Sequence, residues 1–230
     1  MRAVVLCLGL ALPGAPFGEP RSGLEFSTAE IRALQASDDE NPGMLWVARG
    51  AVLWAGQCSS CHAAGSMKGV AARYPMLENG QIITLEQRIM RKRPGLAYES
   101  DDLLALTAFL AHQSRGLRWQ PRIDDRDVER GRMAYRLRRG QMNLACTHCH
   151  DANAGKRLGS ETISQGQGNG YPAYRLEWER LGSLQRRLRA CLFAIRADLP
   201  PFGSQDLLEL ELFLAYRGRG LLIETPAVRR

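Results

Sequence analysis

With 230 residues, 45% of them apolar, the chain has enough material for one or two globular domains with ordinary cores. No stretch approaches the run of about eighteen apolar residues that a membrane-spanning helix needs, so no span is expected. The formal net charge is +7, and with Lys68, Lys92 and Lys156 the only lysines among 31 basic residues, it is almost all arginine. Such a charge reads either as a solvated basic surface or as an arginine-lined approach for an anion, whose oxygens a guanidinium fork matches in pairs.

Met1-Arg2, the apolar run Ala3 to Leu12 and the Pro- and Gly-containing sequence after it have the pattern of a secretory signal peptide covering about residues 1–18. Thr28 then caps a short helix that ends before Asp38, and Met44 to Gln57 reads as an amphipathic helix running into Cys58-Ser59-Ser60-Cys61-His62. Cys-x-x-Cys-His is the signature of covalent haem c attachment: the two thiols add to the porphyrin vinyl groups and the adjacent His takes one axial position on iron. Helices are expected over Thr84 to Arg93 and Ser100 to Arg115, and Trp119 to Asp127 reads as a link. An opening helix over Asp125 to Gly140 leads to a second complete box, Cys146-Thr147-His148-Cys149-His150. Gly155 to Gly170 reads as a loop too polar to pack. Ser183 caps a helix to about Ile195, and Ser204 caps one to about Arg217 beyond Pro200-Pro201. Alternation of the strand type is nearly absent.

The two boxes belong to a repeat. Tyr74-Pro75 is echoed by Tyr171-Pro172, Leu85-Glu86-Gln87-Arg88-Ile89 by Leu184-Gln185-Arg186-Arg187-Leu188, and Asp102-Leu103-Leu104 by Asp206-Leu207-Leu208. The expectation is a mainly α protein made of two copies of one haem domain by internal duplication, residues 19–121 and 122–230, and nucleic acid is not an expected partner. No His or Met follows His150, so Lys156 and Cys191 are the good donors left for the far side of the second iron. Cys191 is preferred, since Lys156 is too close in sequence to wrap around a haem edge. A thiolate there lowers the reduction potential and sets a sulfur nucleophile at the metal. In the first copy Lys92 falls on the slot of Cys191. Met90 is the runner-up partner for His62, and His112, which maps to Tyr216, reads as a packed core residue.

Tyr171-Pro172-x-Tyr174-Arg175-Leu176-Glu177-Trp178, Gly182 to Cys191 and Ile223-Glu224-Thr225-Pro226-Ala227-Val228 resemble the SoxA subunit of the SoxAX cytochromes of bacterial thiosulfate oxidation, and in the first half Gly69-Val70-Ala71-Ala72-Arg73-Tyr74-Pro75 and Ala111-His112-Gln113-Ser114-Arg115-Gly116 are similar to its diheme form. The resemblance implies a periplasmic protein of two tandem class I cytochrome c-like domains carrying two covalent haem c groups, on Cys58, Cys61 and His62 and on Cys146, Cys149 and His150. It also implies a monohaem SoxX partner, a SoxYZ carrier whose cysteine is joined to thiosulfate, and catalytic roles for Cys191, in thiolate or persulfide form, and Arg187. Arg217 or Arg219 is expected to complete an oxyanion clamp. The family generally has a second cysteine ligand where this chain has Lys92, which leaves Lys92 as the expected ligand of the first haem. A thiosulfate dehydrogenase that forms tetrathionate and a non-catalytic diheme electron carrier are the rival functions.

Overall fold

The computed structural model describes residues 19–58, 62 and 66–230; the expected signal peptide and Cys61 lie outside the described residues. The helices are α1 (Ala29–Ala36), α2 (Met44–Gln57), α3 (Leu85–Lys92), α4 (Asp101–His112), α5 (Glu129–Arg136), α6 (Cys146–His150), α7 (Leu184–Ala194) and α8 (Gln205–Arg217). Short strands lie between them: β1 (Met76–Glu78), β2 (Gln81–Ile83), β3 (Arg157–Leu158), β4 (Glu161–Thr162), β5 (Ala173–Arg175), β6 (Arg180–Gly182) and β7 (Ala227–Arg229).

The order α2, β1, β2, α3, α4 is met again as α5, β5, β6, α7, α8, with α6, β3 and β4 placed between α5 and β5 and β7 following α8. The long apolar helices α4 and α8 form the two cores, with Leu103, Leu106 and Leu110 in one and Leu208, Leu212 and Phe213 in the other. Against each lies a helix with a glycine at the crossing. A Cβ on Gly50 of α2 would stand 2.1 Å from the Ala105 carbonyl oxygen, and one on Gly131 of α5 would stand 2.1 Å from that of Glu209. Only glycine lets these backbones approach so closely. A cis Tyr-Pro bond, Tyr74-Pro75 or Tyr171-Pro172, precedes each of the hairpins β1–β2 and β5–β6. Each hairpin leads into a helix capped by a hydroxyl: Thr84 Oγ1 accepts from Gln87 N at 3.2 Å and Ser183 Oγ from Arg186 N at 3.1 Å.

The halves are tied crosswise. β7 pairs in parallel with β5, and the segment before α2 packs on this sheet, where Asn41 Nδ2 donates to the Pro226 carbonyl at 2.9 Å. Val228 N donates to Gln35 Oε1 at 3.0 Å. The Trp119 region, read as a link, is part of the core: its indole is buried and donates to the Tyr74 carbonyl at 2.6 Å.

Three local expectations change. The hairpins went unseen because strands of two or three residues give alternation nothing to repeat. Gly140 does not close α5, which ends at Arg136; with φ at +68° and a Cβ position 2.2 Å from the Ile195 carbonyl oxygen, it lets two loops touch. The stretch Gly155 to Gly170 does pack, since Gln167 and Asn169 are buried and Asn169 Nδ2 donates to the Leu222 carbonyl at 2.9 Å. The Asn169 amide is met by a backbone carbonyl and the Gln167 amide by Gln165 Oε1 at 3.4 Å, while the side-chain oxygens of both stay unpaired among the described residues.

Candidate functional site

α6 carries the second box on a single turn, which leaves Cys146, Cys149 and His150 half-buried and the thiols unbonded to one another. His150 Nδ1 lies 2.8 Å from the Ser164 carbonyl oxygen. A carbonyl can only accept, so this partner assigns the proton to Nδ1 and leaves the lone pair on Nε2, the arrangement typical of a ligating histidine. The loop closes on the imidazole at Gly166, where a Cβ would fall 3.0 Å from the ring. His148, the other histidine of the box, takes a structural part: its Nδ1 accepts from Ala145 N at 3.0 Å at the start of α6.

α7 brings the fourth group. Arg187 and Cys191 are four residues apart and share one face of the helix. Cys191 sits deep among protein atoms while part of its surface stays accessible. Burial alone would push its thiol up, but the hydrogen bond with His150 and the charges of Arg187 and Arg175 bring it below the ordinary thiol value. Cys146 goes the other way, pushed up to about 11 by burial and then by the charge of Cys191. Arg187 is half-buried, and although burial opposes its charge, Cys191, Tyr171, Glu161 and Glu177 together hold it protonated.

The donor set fits a haem c. Two free thiols are spaced for the vinyl groups, and an imidazole has its lone pair fixed on Nε2. A thiol from a separate helix meets that imidazole. In the first box Cys58 closes α2, and His62 N donates to its carbonyl at 3.1 Å while the exposed imidazole lies 5.6 Å from the Trp54 ring. Lys92 is exposed on the last residue of α3, and no contact among the described residues joins it to His62. Met90 packs in the core of the first half, and His112 is half-buried with its pKa lowered by burial and by Arg115.

Other expected clamp residues are engaged elsewhere. Arg217 Nη2 donates to Asp151 Oδ1 at 2.7 Å with its guanidinium 4.5 Å over the Tyr135 ring, and Arg219 bonds the Ile123 carbonyl. Arg175 was overlooked as part of the site. It is a buried arginine on β5 whose charge reaches Cys191, and only its place in a strand too short to predict gives it away.

Residues 50–119 match the family model of the SoxA/TsdA cytochrome c domain, so the class is that of a c-type cytochrome, which binds haem c covalently. The chain is 39% identical to the L-cysteine S-thiosulfotransferase subunit SoxA of Pseudaminobacter salicylatoxidans, over 94% of this chain and 83% of that one. It is 36% identical to the SoxA of Rhodovulum sulfidophilum, over 93% of this chain and 81% of that one. The crystal structure of SoxXA from P. pantotrophus superposes with a TM-score of 0.86 at 32% identity, covering 92% of this chain and 87% of that one. The chain belongs to the SoxA family.

Proposed function

We propose that the protein joins thiosulfate to a cysteine of a SoxYZ carrier as the diheme catalytic subunit of an L-cysteine S-thiosulfotransferase. The overall change is carrier thiol plus thiosulfate to carrier S-thiosulfonate, with release of one proton and two electrons. The observation that carries the reading is Cys191, a thiol held below its ordinary pKa against His150, with Arg187 one turn away on the same helix face.

Two duplicated domains, 19–121 and 122–230, each hold one haem c: one through Cys58, Cys61 and His62, the other through Cys146, Cys149 and His150. When bound, haem c takes up electrons singly and passes them on, here to a SoxX monohaem partner. Cys191 Sγ bonds the outer sulfur of thiosulfate as two electrons leave. The carrier thiolate then attacks that sulfur, and Cys191 departs as thiolate. Arg187 binds the sulfonate oxygens, so the leaving and attacking sulfurs stay in line. A persulfide on Cys191 is the alternative resting form.

Exposed Phe193 on α7 and Met142, whose N–H donates to the Ile195 carbonyl at 3.3 Å, offer apolar surface beside the site for a protein partner. By its place in the repeat, Lys92 would join His62 in holding the iron of the first haem. Residues 1–18 direct the chain to the periplasm, and no helix among the described residues is long and apolar enough to cross a membrane.

The test is product analysis of holoprotein given thiosulfate, an electron acceptor and the carrier. A thiosulfonate mass on the carrier cysteine is expected. Tetrathionate in its place assigns a thiosulfate dehydrogenase, and electron transfer with neither product assigns a plain carrier of electrons.

A further inference from the structure

The two halves place opposite charges at one position. Counting from the cis Tyr-Pro bond, Glu78 ends β1 as Arg175 ends β5, and the two face Gln81 and Arg180 across their hairpins. In the first half Glu78 faces Arg88, the counterpart of Arg187. Their ion pair measures 2.9 Å, and Arg88 Nε also donates to Tyr74 Oη at 3.0 Å. That guanidinium is engaged through Nε and Nη2. In the second half the carboxylate is replaced by Arg175, and no ion pair among the described residues includes Arg187.

Acidic groups are nonetheless nearby. Glu161 on β4 and Glu177 after β5 both act electrostatically on Arg187, yet their contacts go to Arg175 Nη2, at 3.2 and 3.5 Å. Arg175 is well placed to hold them, since its side chain is 5% exposed and its guanidinium stacks 5.2 Å from the Trp178 ring. A carboxylate attracts the nearer cation more strongly, and the burial of Arg175 limits screening on its side of each pair although Glu161 and Glu177 are 31% and 54% exposed.

We propose that Arg175 is a positioning residue: by holding Glu161 and Glu177 it keeps the Arg187 guanidinium open for the sulfonate group of the substrate. This rests on the reading of Arg187 as the thiosulfate-binding residue. Without Arg175 the two carboxylates turn to Arg187 and close it, as Glu78 closes Arg88.

The experiment is equilibrium binding of thiosulfate to holoprotein by calorimetry, with haem content and circular dichroism recorded for every variant. Arg175→Met is expected to weaken binding about tenfold, the scale of one charge-assisted contact. Adding Glu161→Gln and Glu177→Gln to it is expected to restore affinity to within about twofold of wild type, because the neutral amides no longer compete. Rescue separates positioning from a role in folding or in direct contact with substrate. Unchanged binding in Arg175→Met, or a loss that the triple variant does not recover, overturns the proposal. If Arg175→Met does not fold, the Glu161→Gln/Glu177→Gln double variant decides: equal or tighter binding upholds the proposal, and weaker binding overturns it. Arg187→Ala serves as the control on the underlying reading. Binding that survives in Arg187→Ala removes the thiosulfate role of Arg187 itself, whereas loss there with none in Arg175→Met removes only the role of Arg175.

Discussion

α3 and α7 start alike and end differently. Both follow a hairpin and a hydroxyl cap, but α3 spans 8 residues and α7 spans 11. Pro94 is the cause: it drives Arg93 to φ −133° and ψ 76°, so Lys92 becomes the last helical residue. α7 meets no proline until Pro200 and runs three residues past Cys191 to Ala194. Cys191 is thus fixed within a helix, directed at His150, while Lys92 hangs from a helix end on a flexible stem. One backbone plan gives a cysteine inside a helix, one turn from an arginine without an ion pair among the described residues, in one half, and an exposed lysine at a helix end beside an arginine paired with Glu78 in the other.

The comparison breaks first at Cys191. Cys191→Ala is expected to abolish turnover while haem stays covalently attached, since Cys146 and Cys149 are untouched; activity together with haem staining after denaturation checks this. Substantial residual turnover removes the role of the sulfur. Next comes Arg187→Ala, expected to cost about 1.5–3 kcal/mol in kcat/KM for thiosulfate with the haem spectrum unchanged. The matching change in the closed half, Arg88→Ala, is expected to lower stability and leave thiosulfate use alone, because Arg88 is engaged by Glu78 and Tyr74.

Where the halves meet, the difference is one of protons. Glu211 of α8, buried and bonded by Gln185 Nε2 at 3.2 Å, takes the position that Thr107 holds in α4. Burial first, and then the charge of Glu86 across the shared cavity, push its carboxyl well above the ordinary range. Burial, and then the charge of Glu99, raise Glu86 as well. The folded state therefore holds protons that the unfolded chain releases. Their contribution is present below the ordinary carboxylate pKa and is lost as pH rises toward the elevated one, at about 1.4 kcal/mol per pH unit for each proton. Glu211→Gln is expected to flatten that decline, so its melting temperature exceeds that of wild type at neutral pH and equals it near pH 4. Parallel melting curves at every pH contradict the assignment.

The smallest effect is expected at the first haem. Low-temperature EPR of ferric protein should change in Lys92→Arg, because an arginine does not give up a proton to become a ligand. A signal altered only by Met90→Leu transfers the position to methionine.

Much of this was legible because it rests on short-range chemistry. The two boxes are contiguous, and Thr84, Ser100 and Ser183 announce helices by capping bonds that span three residues. Ser204 shows the limit, since it precedes α8 as expected but its hydroxyl makes no capping bond. The pairing of β5 with β7 joins residues far apart in the chain, which no local pattern records. Arg217 and Arg219 were chosen for their helix, and their bonds to Asp151 and the Ile123 carbonyl arise only from tertiary packing. Arg175 went unnoticed because its meaning lies in the contrast with Glu78.

The most direct test of the central claim is the mass of the Cys191 peptide after a single turnover with thiosulfate and ferricyanide, without the carrier. A sulfur adduct on Cys191 is expected that disappears on adding carrier thiol and that forms more slowly in Arg187→Ala at the same thiosulfate concentration. Carrier conjugate formed at full rate with Cys191 never modified would contradict it.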